Sequence, residues 1–176
     1  MHATAWVASH VAALVSIQWL APLAGGISPN WLLYGVPLSV GVVQWALLAQ
    51  YLRWYGLLWL PACLVGLFLS FFGSWWFLCV LGLGMGIAQS PLLAWSGFRR
   101  SWMWVPASGF GWFIGMILGS SVQDLFGAVL DTDEARMSVL WGSTALVYGA
   151  LTAAALQLMP RVQANANRPK NVFNAH

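Results

Sequence analysis

The sequence predicts an all-α integral membrane protein, a six-transmembrane-helix bundle, and three observations carry that reading. The first is composition: of 176 residues, 60% are hydrophobic and 6% charged, with a mean hydropathy of +0.75, whereas about a quarter of a soluble domain is charged. Seven basic and four acidic side chains cannot clothe a water-facing surface around so apolar a chain. The second is length: the apolar residues fall in six runs of roughly 20, enough for a helix to cross about 30 Å of hydrocarbon. The third is the lack of ten-residue segments of alternating polarity, which a membrane β-barrel requires. Lipid offers nothing to unpaired backbone groups, so the runs close their bonds internally as helices.

The expected spans are 5–24, 31–52, 54–73, 75–95, 102–122 and 137–159, forming a domain over 1–160 with a polar, basic tail at 161–176. The first could be mistaken for a secretion signal. Its flank has no Lys or Arg and Ala24-Gly25-Gly26 is a poor cleavage site, so a retained span is expected. It carries His10, the one histidine inside a span. A lone histidine cannot supply both axial ligands of a bis-histidine haem; a bond to a neighbouring helix is the expected role, and an axial bond to a chlorophyll magnesium the alternative. Arg53 alone links the second and third spans. The fourth contains Gly82, Gly84 and Gly86, and this "GLGMG" follows no strand, so it is no nucleotide loop. The turn Ser96 to Ser101 holds Arg99 and Arg100. In the fifth span Gly111, Gly115 and Gly119 make consecutive G-x-x-x-G steps, suited to close helix packing inside the bundle or to docking on another membrane protein. In the following loop "VQDLFGAVL" is expected flat on the membrane surface. Asp131 and Glu134 read as a capping box that starts the sixth helix, with both charges at its positive end. A calcium site there would want more oxygen ligands.

Basic residues set the orientation. Arg53, Arg99, Arg100, Arg161, Arg168 and Lys170 fall on the side of the termini and Arg136 alone on the other, while all four acids, Asp124, Asp131, Asp133 and Glu134, lie in the opposite loop. The positive-inside rule places both termini in the cytoplasm, or on the stroma-like side of an internal membrane. Trp6, Trp19, Trp31, Trp54, Trp59, Trp75, Trp76, Trp95, Trp102, Trp104 and Trp141 sit near helix ends, as an interfacial belt requires, leaving Trp45 and Trp112 deeper. Cys63 and Cys79 lie at depths too different for a disulfide and read as packing residues. The only lysine, Lys170, is in the tail, which excludes a retinal Schiff base in the bundle.

One hairpin is written twice. "GVVQWALLAQYLRWYGLLWLPACLVG" (41–66) and "GIAQSPLLAWSGFRRSWMWVPASGFG" (86–111) share nine of 26 positions without a gap, among them Gln44/Gln89, Trp59/Trp104, Pro61/Pro106 and Gly66/Gly111, which marks an internal repeat. A third copy split between the chain ends follows if Gln157 and Arg161 stand for the glutamine and the basic turn, and "WVASHVAAL" for the rising helix. The expected architecture is three hairpins about an approximate three-fold axis. An amide in hydrocarbon costs several kcal/mol unless bonded, so Gln44, Gln89 and Gln157 are expected to point inward, as a clasp or as the lining of a polar pocket.

The pattern G-x-x-Q-W, a basic turn and W-x-x-A-x-x-x-G resembles a loose group of small multi-pass membrane proteins of cyanobacteria and other bacteria with tandem GxxQWxxLR…WxxAxxxG units. Ala49 and Ala94 depart from it where the group has arginine. The resemblance implies the repeated-hairpin architecture and a setting in photosynthetic bacteria, with no activity attached.

No Asp, Glu, Lys or Arg falls within an expected span, where pumps and ion-coupled carriers keep a coupling charge. No nucleophile–base pair, metal-ligand spacing or phosphate loop supports an enzyme, and so few charges leave no basic footprint for nucleic acid. The expected role is a non-catalytic accessory or scaffold subunit of a larger, photosynthetic membrane complex that contacts membrane lipids and other integral membrane subunits. Gly111, Gly115, Gly119, Arg99 and Arg100 are its partner-binding candidates. His10, Gln44, Gln89 and Gln157 are its candidate polar contacts to lipid, carotenoid or chlorophyll. The alternative is a small transporter or capture module for a neutral solute, with the glutamines along its path.

Overall fold

A computed structural model describes residues 2–20, 35–71 and 77–161. Among the described residues six α-helices follow one another: α1 (Ala3–Leu20), α2 (Val36–Leu52), α3 (Trp59–Phe71), α4 (Phe77–Trp95), α5 (Trp104–Phe126) and α6 (Asp133–Leu158). Among the described residues the only extended pairing is a single antiparallel bridge between Phe98 and Arg161. Each helix packs chiefly on its two neighbours in the chain, and α1 returns to α6, so the six form a closed ring. Trp6 bonds Thr152 while Val15 faces Gly142; α1 therefore runs antiparallel to α6, and Ala3 and Leu158 share one end of the ring.

The helices at Ser101–Phe126 and Asp133–Leu158 are long and apolar enough to cross a membrane, and shorter apolar helices cover Ala3–Ile17, Val36–Leu52, Trp54–Ser70 and Val80–Trp95. The rest of the expected spans around the first and third connections falls on positions 21–34 and 72–76, outside the described residues, as do Trp31, Trp75, Trp76, the Cys79 side chain and the tail from 162.

Four local expectations change. Arg53 is not the whole link between α2 and α3: Arg53–Leu58 form a 3-10 helix, which lets Gly56 sit under the Trp45 ring. The segment from Gln123 does not lie apart on a surface, because α5 continues to Phe126. The cap of α6 is Thr132, whose hydroxyl accepts the Ala135 N–H at 3.1 Å, so Asp131 is not the cap. Asp133 and Glu134 still occupy the first turn, where the helix dipole favours them. Finally, the tryptophan belt is only half a belt. Trp19, Trp54, Trp95 and Trp102 are exposed, whereas Trp6, Trp59, Trp104 and Trp141 are buried with Trp112, and Trp45 lies on the outside. The 3-10 turns explain the split: Trp54 and Trp102 lie in them, and Trp59 and Trp104 begin the α-helices just inside.

His10, Gln44, Gln89, Ser108, Thr144 and Thr152 are fully buried, while Leu57, Phe68, Phe110 and Leu125 are each more than 60% exposed.

Candidate functional site

The centre of the ring is built on the repeated Trp-x-Pro-Ala starts. In α3 and α5 the proline is the third helical residue (Pro61, Pro106), within the first turn, where a missing N–H costs no helical bond. The helix thus begins immediately at Trp59 or Trp104 and aims that ring inward. Trp6 on α1 joins them: the Trp6 and Trp104 centroids are 6.1 Å apart and those of Trp59 and Trp104 6.3 Å, both edge-to-face, the arrangement ring quadrupoles favour.

Beside the tryptophans runs a chain of hydrogen bonds. Trp104 Nε1 donates to Gln89 Oε1 (2.8 Å), Gln89 Nε2 to Gln44 Oε1 (3.1 Å), and Gln44 Nε2 to Tyr148 Oη (2.8 Å). Gln89 Nε2 also lies 3.1 Å from Cys63 Sγ, a buried free thiol. One network thereby joins α2, α3, α4, α5 and α6. On the other side Trp6 Nε1 donates to Thr152 Oγ1 (3.0 Å), and that hydroxyl donates to Tyr148 O (2.7 Å), attaching α1. The amides spend their strongest contacts on one another and on the ring of aromatics, an arrangement that fixes helix register.

Gln157 does not join Gln44 and Gln89. It is exposed, and the reason is helical phase: at about 100° per residue, nine residues place it on the opposite side of α6 from buried Tyr148. Thr152 holds the equivalent place. Gly149-x-x-Thr152 repeats the spacing of Gly41-x-x-Gln44 and Gly86-x-x-Gln89, and all six residues are buried. A similar contact recurs at three places: a Cβ on Gly41 would meet Cys63, on Gly86 Val105 and Ser108, and on Gly149 Val7 and His10. Cys63, Ser108 and His10 each stand four residues after Trp59, Trp104 and Trp6. Sequence reasoning missed Tyr148, Thr152 and Ser108; the G-x-x-[polar] spacing was the signal that could have found Thr152.

His10 is enclosed rather than presented to the outside. Its Nδ1 lies 2.8 Å from Trp6 O; a carbonyl only accepts, so Nδ1 carries the proton and Nε2 is left as an acceptor. Its ring lies 4.7 Å from Trp6 and 5.6 Å from Tyr148, and with no exposed surface it cannot reach a chlorophyll macrocycle on the outer face. Among the described residues, His10 Nε2, Trp59 Nε1, Trp112 Nε1 and Trp141 Nε1 are buried without a hydrogen-bond partner.

The glycines assigned to partner docking are occupied within the chain. A Cβ on Gly111 would fall 3.1 Å from Tyr148 Cα, on Gly115 2.8 Å from Thr144 O, and on Gly119 2.6 Å from Leu140 O; Thr144 Oγ1 also donates to Gly115 O at 3.1 Å. These glycines exist so that α5 can lie directly on α6. Arg99 and Arg100 do lie on the surface, in a turn that needs left-handed backbone at Gly97 (φ 89°) and Arg100 (φ 59°).

Compared with family models, curated proteins and solved structures, the chain matches none of them.

The unequal satisfaction of the three central tryptophans can be tested. Trp104→Phe removes a donor and strands Gln89 Oε1, whereas Trp59→Phe removes an N–H that has no partner. Trp104→Phe should therefore destabilise the protein by about 1 kcal/mol more than Trp59→Phe, read as a lower midpoint of thermal unfolding by circular dichroism in mild detergent.

Proposed function

We propose that this chain is a six-helix integral membrane module, one hairpin used three times around an axis, that serves as a non-catalytic accessory or scaffold subunit of a larger membrane complex. The observation that carries the reading is the inverted polarity: buried amides and hydroxyls bonded to one another inside, bare apolar side chains outside. The three recurring glycine contacts and the Trp6–Trp59–Trp104 cluster support the threefold part. The engagement of Gln44 and Gln89 with each other, with Trp104 and with Tyr148 supports a structural clasp over the transporter alternative, in which these amides would be open to a solute.

If the interior is a clasp, the function lies on the outside. On α1, Thr4, Ala8, Ala12 and Ser16 are exposed at four-residue spacing and border a shallow groove against Leu146 of α6. Small residues at this spacing let another transmembrane helix approach closely. In this reading pigment, if carried, sits on the outer apolar faces and uses no bond from His10.

The test is purification from native membranes in mild detergent beside an Ala8→Leu/Ala12→Leu variant, whose changes lie on an exposed face. A subunit held at fixed stoichiometry by the wild type and lost from the variant is the expected result, with absorbance of the particle reporting any carotenoid or chlorophyll. A lone, colourless particle, identical for both chains, would sink the proposal.

A further inference from the structure

At the end of the ring that carries Arg99 and Arg100, a cavity of about 230 Å³ opens between the last turns of α2 and α6 and the turn after α4. Leu48, Leu156 and Met159 form its buried wall, Phe98 flanks it, and Gln157 and Arg161 are its exposed polar groups. Arg161 is held in place. Its backbone bridges Phe98, the adjoining Pro160 carbonyl accepts the Arg99 N–H at 2.9 Å, its Nη2 donates to Tyr51 O at 3.1 Å, and its guanidinium lies 5.5 Å from the Tyr51 ring centroid.

What Arg161 lacks is a counter-charge. Among the described residues no carboxylate pairs with it; the four acids all lie at or beyond the far ends of α5 and α6, and α6 alone separates the two ends by roughly 39 Å. One of the five guanidinium donors is used on Tyr51. With Arg99 and Arg100 beside it, the site is a cationic mouth over an apolar groove.

We infer that this cavity binds an anionic phospholipid, its phosphate on the Arg161 guanidinium and the Gln157 amide and one acyl chain against Leu48 and Leu156. Guanidinium and phosphate pair through planar, charge-assisted bonds, and basic pockets between helix ends suit such headgroups. A soluble anion would gain nothing from the apolar wall. The neighbouring aromatics mark the headgroup level: Trp54, Tyr55 and Trp95 cluster at this same end, with ring centroids 3.9 and 6.0 Å apart, and both tryptophans are over 60% exposed, as residues at a membrane–water boundary are. The inference also gives Gln157 a role on the outer face, where helical phase puts it.

The inference rests on the membrane reading, and the two fail separately. Release of the full-length chain from native membranes by alkaline carbonate would remove the membrane reading and this site with it. If the chain stays in the membrane, lipid retention is measured by native mass spectrometry with added phosphatidylglycerol or phosphatidylcholine. The wild type should retain phosphatidylglycerol in preference, and Arg161→Gln should weaken that retention about tenfold without changing phosphatidylcholine. Gln157→Glu, at an exposed position that leaves the core untouched, should weaken it similarly by placing an anion at the mouth. Equal retention of both lipids by the wild type, wild-type preference in both variants, or displacement of the lipid by an equal concentration of inorganic phosphate would overturn the inference.

Discussion

Gln89→Leu should destabilise the protein by about 3 kcal/mol. Leucine nearly matches the volume, so the effect is not a cavity. It comes from the groups left behind: Trp104 Nε1 loses its acceptor and Gln44 Oε1 its donor, both fully enclosed. A buried polar atom left unpaired costs about 1–3 kcal/mol, and in the proposed membrane setting lipid would offer no replacement. Interhelical bonds in membranes often contribute less, about 0.6 kcal/mol on average, so the magnitude tests whether this network behaves as a unit. Equilibrium unfolding in mixed micelles provides the measurement, and a double-mutant cycle sharpens it. Gln44→Leu/Gln89→Leu should cost clearly less than the sum of the single changes, because the second substitution removes a group the first had stranded. Additive effects of a few tenths of a kcal/mol each would show that the amides are bystanders.

Gly115→Leu should be at least as damaging, by about 3 kcal/mol or more. The first added carbon would already lie 2.8 Å from Thr144 O and 3.1 Å from Thr144 Cα, both backbone atoms of α6. Neither can yield without α5 and α6 separating, which also breaks the bond from Thr144 Oγ1 to Gly115 O. Overpacking of this kind exceeds the usual range of about 1–3 kcal/mol when backbone is what must move. Gly142→Ala is the control: its Cβ would meet only Val15 Cγ2 at 3.4 Å, an ordinary contact, and a helix favours alanine over glycine by about 1 kcal/mol. The loss should appear in the purified chain, since the face that Gly115 offers is covered by this chain's own sixth helix. Equal stability of Gly115→Leu and wild type would mean that α5 and α6 do not meet as described.

Much of this was legible in the residues. Six helices follow from apolar runs with turn residues between them, and Gln44 and Gln89 could be placed inside because an amide has nowhere else to bond in an apolar setting. The repeat at 41–66 and 86–111 set Trp59 and Trp104 at matched positions, each the first residue of an α-helix, but did not reveal their depth. A tryptophan near a helix end is equally suited to a membrane boundary and to a core. The choice was made by the 3-10 turns, which hold Trp54 and Trp102 outside and begin the α-helices one step further in.

Gln157 shows the same limit from the other side. It is the right residue type near the end of the right helix, yet five positions from the register of the first two copies, and five residues of helix turn a side chain by about 140°. Identity of type was read as identity of place. Thr152, a smaller group that can satisfy Trp6 Nε1 and still donate to its own helix, took the place instead.

The residues by themselves determined the helical class, the order of the six helices, the paired glutamines and the close-packing glycines, because each follows from local chemistry: backbone satisfaction, amide desolvation and the absence of a Cβ. Only the tertiary structure decided which tryptophans face inward, that α6 covers the glycine stripe of α5, and that Tyr148 and Thr152 complete the central network. Those outcomes depend on helix rotation and on which neighbour lies across the ring. In a chain this apolar, hydropathy differs too little from one helix face to another to reveal either.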